Sequence, residues 1–349
     1  MKNVIFLFSF FIIAASCSKD PDIITGYNSS DNGVFILNEG NFGGGTGSLS
    51  FYSYNSDTVY NNLFQDKNGW PLGDVAFSMV IKGEKAYIIV NNSGKIEVVD
   101  KNSLASVATI SGLNSPRNMS FTGDNKAYVT SMYSDSLAIL NTSSNTISGY
   151  INLKRSSESI VTIGTKSYVA NWVGGNKISV INTLNDQVVD SIEVGIEPES
   201  MVKDKNDKLW VLCNGGWMRQ NFAELDMINT EINEIEKRLI FPAVTDSPSC
   251  LQIDGAGENL FYIENGVRRM NTGGTSLPST AMIPQTAQYF YKIGINPVNS
   301  DIFITDAVDY QQKGSVLRYD KDGNLISTLK ADIIPAFLCF KLRDNFQAK

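Results

Sequence analysis

The sequence contains no histidine among its 349 residues, and that removes much of ordinary catalysis. Imidazole-ligated zinc, copper and haem, Ser-His-Asp hydrolysis and histidine-based lyase chemistry all need a ring that ligates or titrates near neutrality. An enzyme built on this chain would have to use carboxylates, lysine, tyrosine or bound calcium. Glu158 and Glu199 are the candidates, since each precedes the first strand of a repeated unit and the two could approach a common centre. Paired carboxylates suit calcium or acid/base work, whereas acids in polar loops are commonly just solvated. The expectation is a protein with no catalytic residue, no metal and no cofactor, whose chemistry is binding.

Aromatic rings and amides form the second group. Asn38, Asn41 and Phe42, then Asn91 and Asn92, Tyr133, Asn171 and Trp172, Asn214 and Trp217, and Asp309 and Tyr310 fall in loops after the second strand of a unit. Trp70, Arg117 and Tyr289 fall in loops that lead into a first strand. Tight turns call for Gly, Asn, Asp or Ser because those residues reach positive φ cheaply or bond their own backbone. They do not call for Trp or Tyr, so rings gathered in such loops predict a binding face. Rings and amides on one concave rim suit a broad, flat, neutral ligand with many hydrogen-bonding edges. Carbohydrate and a corrinoid edged with amides both answer that description, and the residues alone leave both open.

The elements that position these loops are visible as a recurring phrase: an apolar run carrying an aromatic, a polar loop, a second apolar run, then Asp or Asn opening a turn. It reads AYIIVNNSGKIEVVD from Ala86 to Asp100, AYVTSMYSDSLAILN from Ala127 to Asn141 and SYVANWVGGNKISVIN from Ser167 to Asn182. Looser copies run from Val34 to Asn55, Leu209 to Asp226, Leu260 to Asn271 and Ile302 to Asp320. The closing residues stand at 55, 100, 141, 182, 226, 271 and 320, roughly the 40 to 50 residue period of a propeller blade. Seven copies predict an all-β, seven-bladed β-propeller with four-stranded antiparallel blades, strands A to D running outward from the axis. By strand order, the D–A and B–C loops share one face and the A–B and C–D turns the other. The ring and amide residues therefore share a face.

Two details test this scheme. The first copy has no strand A before it, while Ala336 to Leu342 is a spare apolar run, which predicts that the C-terminal strand closes the first blade and leaves no free edge. Thr230 to Leu239 carries Ile232, Ile235 and Leu239 at helical spacing, but it falls where a strand D is due and is read as strand.

At the N-terminus, MKNVIFLFSFFIIAASC reads as a lipoprotein signal peptide over residues 1–16, with small residues ahead of a lipid-accepting Cys17. Residues 17–32 read as lipidated cysteine and polar tether, and 33–349 as the propeller. A net charge of −7 and a pI near 4.8 make nucleic acid and anionic headgroups poor partner candidates, so membrane attachment would rest on the lipid. Cys213, Cys250 and Cys339 lie in or beside apolar runs and read as buried free thiols rather than a disulfide plus one thiol.

The stretches ILNEGNFGGGTGSLSFY (Ile36 to Tyr52), NGWPLGDVAFSM (Asn68 to Met79) and YIIVNNSGKIEVVD (Tyr87 to Asp100) resemble the YncE-like seven-bladed propeller lipoproteins of Bacteroides, and within them the BtuG-type cobalamin-binding proteins. That resemblance implies a lipid-anchored protein of the outer membrane, facing the cell exterior. It would capture cobalamin or another corrinoid as ligand and deliver it to a TonB-dependent outer-membrane transporter. The implied ligand contacts come from the loop residues named above: Asn38, Asn41, Phe42, Trp70, Asn91, Asn92, Arg117, Tyr133, Asn171, Trp172, Asn214, Trp217 and Tyr310. The alternatives are a glycan-binding or protein-docking propeller and, behind them, a carboxylate-dependent lyase or lactonase.

Overall fold

The computed structural model describes residues 26–286 and 288–342; the signal peptide, Cys17 and most of the tether lie outside them. Seven four-stranded antiparallel sheets follow one another in chain order, and each innermost strand contacts the innermost strand of the next sheet until the seventh meets the first. This is the expected closed β-propeller. Runs such as Lys85–Val90 and Leu209–Cys213 are buried almost throughout, because each inner strand is covered by a sheet on both faces.

The phrase that marks each blade has a mechanical role. Lys and Tyr two residues apart project from the same side of strand B, and in three blades they reach the C–D turn of the next blade. Lys126 donates to the Thr183 carbonyl at 2.6 Å and pairs with Asp186, which also accepts from the Tyr128 hydroxyl. Lys166 and Tyr168 both bond the Thr230 carbonyl and the Asn233 amide oxygen, at 2.8 to 3.1 Å. Lys85 makes the equivalent, longer bond to the Thr142 carbonyl at 3.5 Å.

Blade 1 is built from both ends of the described chain. Its strand A is Pro335–Lys341, paired with Gly33–Asn38 in the register Val34 to Phe340, Phe35 to Cys339 and Ile36 to Leu338. Phe337 and Cys339 pack toward the core shared with blade 2, while Leu338 and Phe340 pack toward that shared with blade 7. The segment just before Gly33 reinforces the closure. Tyr27 stands edge-on to Phe51 at 5.4 Å and donates to the Asn102 carbonyl at 3.0 Å, Lys341 donates to the Ser29 carbonyl, and the buried Asp31 accepts from Asn55 at 2.6 Å.

The segment with helical spacing opens as the C–D turn, Thr230 to Asn233, and becomes strand only from there: strand D of blade 5 is Glu234–Ile240 and alternates exposed and half-buried residues along its length. Period two wins there because the strand has a single packed face. The three cysteines are free thiols, two buried and Cys339 half-buried, and burial pushes the Cys339 thiol up to about 12.

The D–A and B–C loops interleave on one face through backbone hydrogen bonds: Gly47 to Gly73 at 2.8 Å, Leu113 to Gly94 at 3.0 Å, Glu197 to Gly175 at 2.7 Å and Glu39 to Ile334 at 2.8 Å. Lys82, in contrast, bonds the Gly123 carbonyl at 2.7 Å among the A–B turns of the opposite face.

Candidate functional site

Every strand A is irregular at the same place. In six blades the pairing of A with B slips by one residue near the start of A: at Phe77, at Arg117–Asn118, at Glu199, at Cys250–Leu251, at Tyr291 and at Ala336. In blade 4 both Glu158 and Ser159 bond Ala170, giving the same two-against-one arrangement. Such bulges leave one residue unpaired and re-aim its side chain; here they turn it toward the axis. The freed N–H groups find other acceptors, as buried backbone donors must. Asn118 uses the Thr130 hydroxyl at 2.9 Å, Lys292 uses Thr305 at 3.0 Å, and Cys250 and Leu251 use Glu199 and Ser200 of the preceding blade at 3.0 and 2.9 Å. Four of the entering loops end in a left-handed residue, Val75 (φ 59°), Ser115 (44°), Glu197 (54°) and Ile334 (56°). For β-branched Val75 and Ile334 this is a strained conformation of the kind that collects at functional sites.

The bulged residues surround the mouth of a central cavity of about 280 Å³. One side of it is locked. The Arg117 guanidinium makes a bidentate pair with Glu158 at 2.7 and 2.8 Å, lies 3.6 Å from the centre of the Phe77 ring and 5.9 Å from that of Trp172, and both charged side chains are almost buried. The other side is open. Glu39 accepts from the Tyr291 hydroxyl at 3.2 Å; burial pushes its carboxyl up, against the pull of Lys292, Tyr291 and Arg117. Glu199 accepts from the Ser200 hydroxyl at 2.5 Å and from the Cys250 N–H at 3.0 Å. The Lys292 ammonium is favoured by Cys250 first and then by Glu199, Tyr291 and Glu39, which outweigh its burial. Burial also pushes the Cys250 thiol up. Among the described residues no three acidic or thiol groups converge to hold a metal ion.

The rings stand in the loops of the same face. Trp217 is 89% exposed, Phe42 80% and Tyr133 70%. Trp70 follows a six-residue helix, α1 (Leu63–Asn68), and stands edge-on against Phe64 at 6.2 Å. Tyr310 meets Tyr289 and Tyr291 at 6.0 and 5.6 Å. Trp172 is half-buried, and its indole N–H is shielded without an acceptor. Of the amides, Asn41 donates to the Tyr310 carbonyl at 3.0 Å, exposed Asn92 donates to Asp74, and Asn214 accepts from the Gly216 N–H at 2.9 Å.

Three residues expected among the ligand contacts lie beneath this face instead. Asn38 is fully buried and bonds Ser48 and Ser50, Asn91 bonds Ser115 and the Pro116 carbonyl at 2.9 Å, and Asn171 accepts from Ser179 at 2.8 Å. Each sits where strand B ends, and its side chain turns into the sheet stack before the loop begins. Sequence reasoning also missed Glu39, Phe77, Cys250, Tyr291 and Lys292. The signal was present: aligning the copies on strand A puts Phe77, Arg117, Glu158, Glu199, Cys250, Tyr291 and Ala336 in one column. A second recess of about 420 Å³, lined by Arg219, Asp246, Glu264, Asn265, Gln285 and Tyr289, lies among the same loops over blade 6, walled by loops of blade 5 on one side and the loop into blade 7 on the other.

The family model described as "Domain of unknown function (DUF5074)" matches residues 32–341. No curated protein matches the chain. Among solved structures, a quinonprotein alcohol dehydrogenase-like protein from Bacteroides thetaiotaomicron is similar with a TM-score of 0.69 and 13% identity, over 90% of this chain and 79% of that one. A hydrazine synthase from Kuenenia stuttgartiensis is similar with a TM-score of 0.59 and 14% identity, over 75% of this chain and 88% of that one. At such identities the likeness is one of fold.

Proposed function

The chain belongs to the DUF5074 family, and from that premise we propose a non-catalytic capture protein that holds cobalamin or a related corrinoid across its ring-bearing face and passes it to a TonB-dependent outer-membrane transporter. The observation that carries this reading is the set of exposed rings, Phe42, Trp70, Tyr133, Trp217 and Tyr310, supplied by different blades to one face. They share that face with the mouth of a cavity of about 280 Å³, below the usual size of a pocket that engulfs a drug-sized ligand. A ligand that meets several blades at once must lie across the face, and a flat macrocycle edged with amides does so while stacking on the rings. The sequence phrases shared with YncE-like and BtuG-type proteins supply the choice of a corrinoid. With no histidine in the sequence, the corrinoid would keep its own lower base or a small ligand on cobalt.

Titration with cyanocobalamin tests this. One site per chain is expected, with a shift of the visible band. Trp217→Ala should weaken binding by about 1 to 4 kcal/mol if the ring is a buried anchor in the complex, at no cost to folding, since the side chain is free in the unliganded protein. Lys82→Ala, on the opposite face, should leave affinity unchanged. Absence of corrinoid binding at tens of micromolar protein would end the assignment. The recess over blade 6, with a tyrosine beside amide, carboxylate and guanidinium groups, favours a glycan as the second reading, so an oligosaccharide panel belongs in the same titration.

Delivery at the cell surface needs an anchor, and Cys17 is the one proposed. No helix of the described residues is long and apolar enough to cross a membrane. Cys17→Ala should therefore move the protein from the membrane to the soluble fraction, because the acyl chains would be its hold on the bilayer. External protease should digest the wild-type domain on intact cells; protection until the outer membrane is broken would place it in the periplasm.

A further inference from the structure

On the open side of the channel mouth the Lys292 ammonium meets the Cys250 sulfur and the Tyr291 ring, 5.3 Å from its centre, but no carboxylate directly. Lys292 lines the cavity, yet among the described residues its ammonium makes no hydrogen bond to an oxygen and no ion pair. Its charged neighbours are Glu199, already engaged by the Ser200 hydroxyl and the Cys250 N–H, and Glu39, engaged by the Tyr291 hydroxyl. Donors that Cys250 does not use thus face acceptors that still have lone pairs, across a gap too wide for an ion pair. Buried polar groups are rarely left so. Water can fill the gap, but so can a ligand group of the right shape.

We propose that this gap is a subsite for a neutral primary carboxamide, whose carbonyl oxygen accepts from Lys292 while its NH2 donates to Glu39 or Glu199. The charge count selects it. Glu39, Glu158 and Glu199 stand against Arg117 and Lys292, a net of −1 around the mouth. A carboxylate adds to that excess, and an ammonium is repelled by Lys292. A hydroxyl concentrates donor and acceptor on one atom, whereas an amide separates them and can span the gap. A cavity of about 280 Å³ has room for such an arm, since a water occupies about 30 Å³. This deepens the corrinoid reading and rests on it for the source of the amide, one of the side arms on the macrocycle edge.

The test uses two kinds of probe on the intact protein. In saturation-transfer NMR, propionamide should receive magnetisation from the wild type while propionate and propylammonium do not, and Lys292→Met should abolish the propionamide signal. Glu39→Gln, which removes a negative charge without emptying the channel, should let propionate bind, and it covers the case in which Lys292→Met does not fold. Cyanocobalamin affinity should fall about tenfold in Lys292→Met, the loss of one charge-assisted hydrogen bond. No transfer to propionamide, or equal transfer to propionate in the wild type, overturns the subsite whatever cyanocobalamin does. Cyanocobalamin binding that ignores both substitutions also overturns it and leaves the capture reading standing. Propionamide binding without cyanocobalamin binding keeps the subsite and ends the corrinoid reading.

Discussion

Removal of residues 336–349 should leave a chain that aggregates or fails to fold. The deletion takes nearly all of strand A of blade 1, and with it the side chains that Phe337 and Cys339 send toward blade 2 and Leu338 and Phe340 toward blade 7. Burying one large apolar side chain stabilises by about 1.5 to 3 kcal/mol, so this strand accounts for several, against a typical total of about 5 to 15. The exposed partner, Gly33–Asn38, is buried at all six residues and would become an apolar edge open to intermolecular pairing. Size-exclusion chromatography and a thermal melt decide the matter. A truncated monomer melting within a few degrees of the parent would mean that the ring holds without its clasp.

Separating Arg117 from Glu158 should be the most damaging single change at the channel. Their bidentate pair is almost dry, and removing one partner of a buried pair costs about 3 to 5 kcal/mol, because the survivor stays buried and uncompensated. Arg117→Met strands the Glu158 carboxylate, and Glu158→Gln strands the guanidinium between the Phe77 and Trp172 rings. The double variant should recover much of the loss, since no charge is then left alone. Urea unfolding of the four proteins gives the coupling. Single variants that each cost less than about 1 kcal/mol would show that the pair is hydrated and does not lock the mouth.

The sequence made the architecture legible because a blade repeats its grammar. Aromatic-bearing strand B, polar loop and closing Asp or Asn recur at a fixed period, and the Lys and Tyr of that phrase join consecutive blades. The unpaired run at Ala336 announced the clasp for the same reason. What the pattern hid was orientation. Alternation assigns each strand residue to a face, but one extra residue at the start of strand A reverses that assignment. Tyr291 and Lys292, as well as Cys250, thus read as ordinary members of a strand and instead meet the channel. Asn38, Asn91 and Asn171, expected in the loops, are buried where strand B ends: one position decides whether an amide crowns the loop or turns beneath it, and the spacing does not resolve a single position.

The bulge ring has a consequence for how such a molecule can change. The side chain at each bulge belongs to a residue that the strand ladder does not pair, so replacing it leaves the hydrogen-bonded frame of the blade as it was. Ala336, Phe77, Arg117, Glu158, Glu199, Cys250 and Tyr291 are then settings on one dial, none of them required by the pairing of its own sheet, with Arg117 and Glu158 alone obliged to change together. Selection can vary what the mouth accepts one blade at a time, while the ring that presents it goes on closing in the same way.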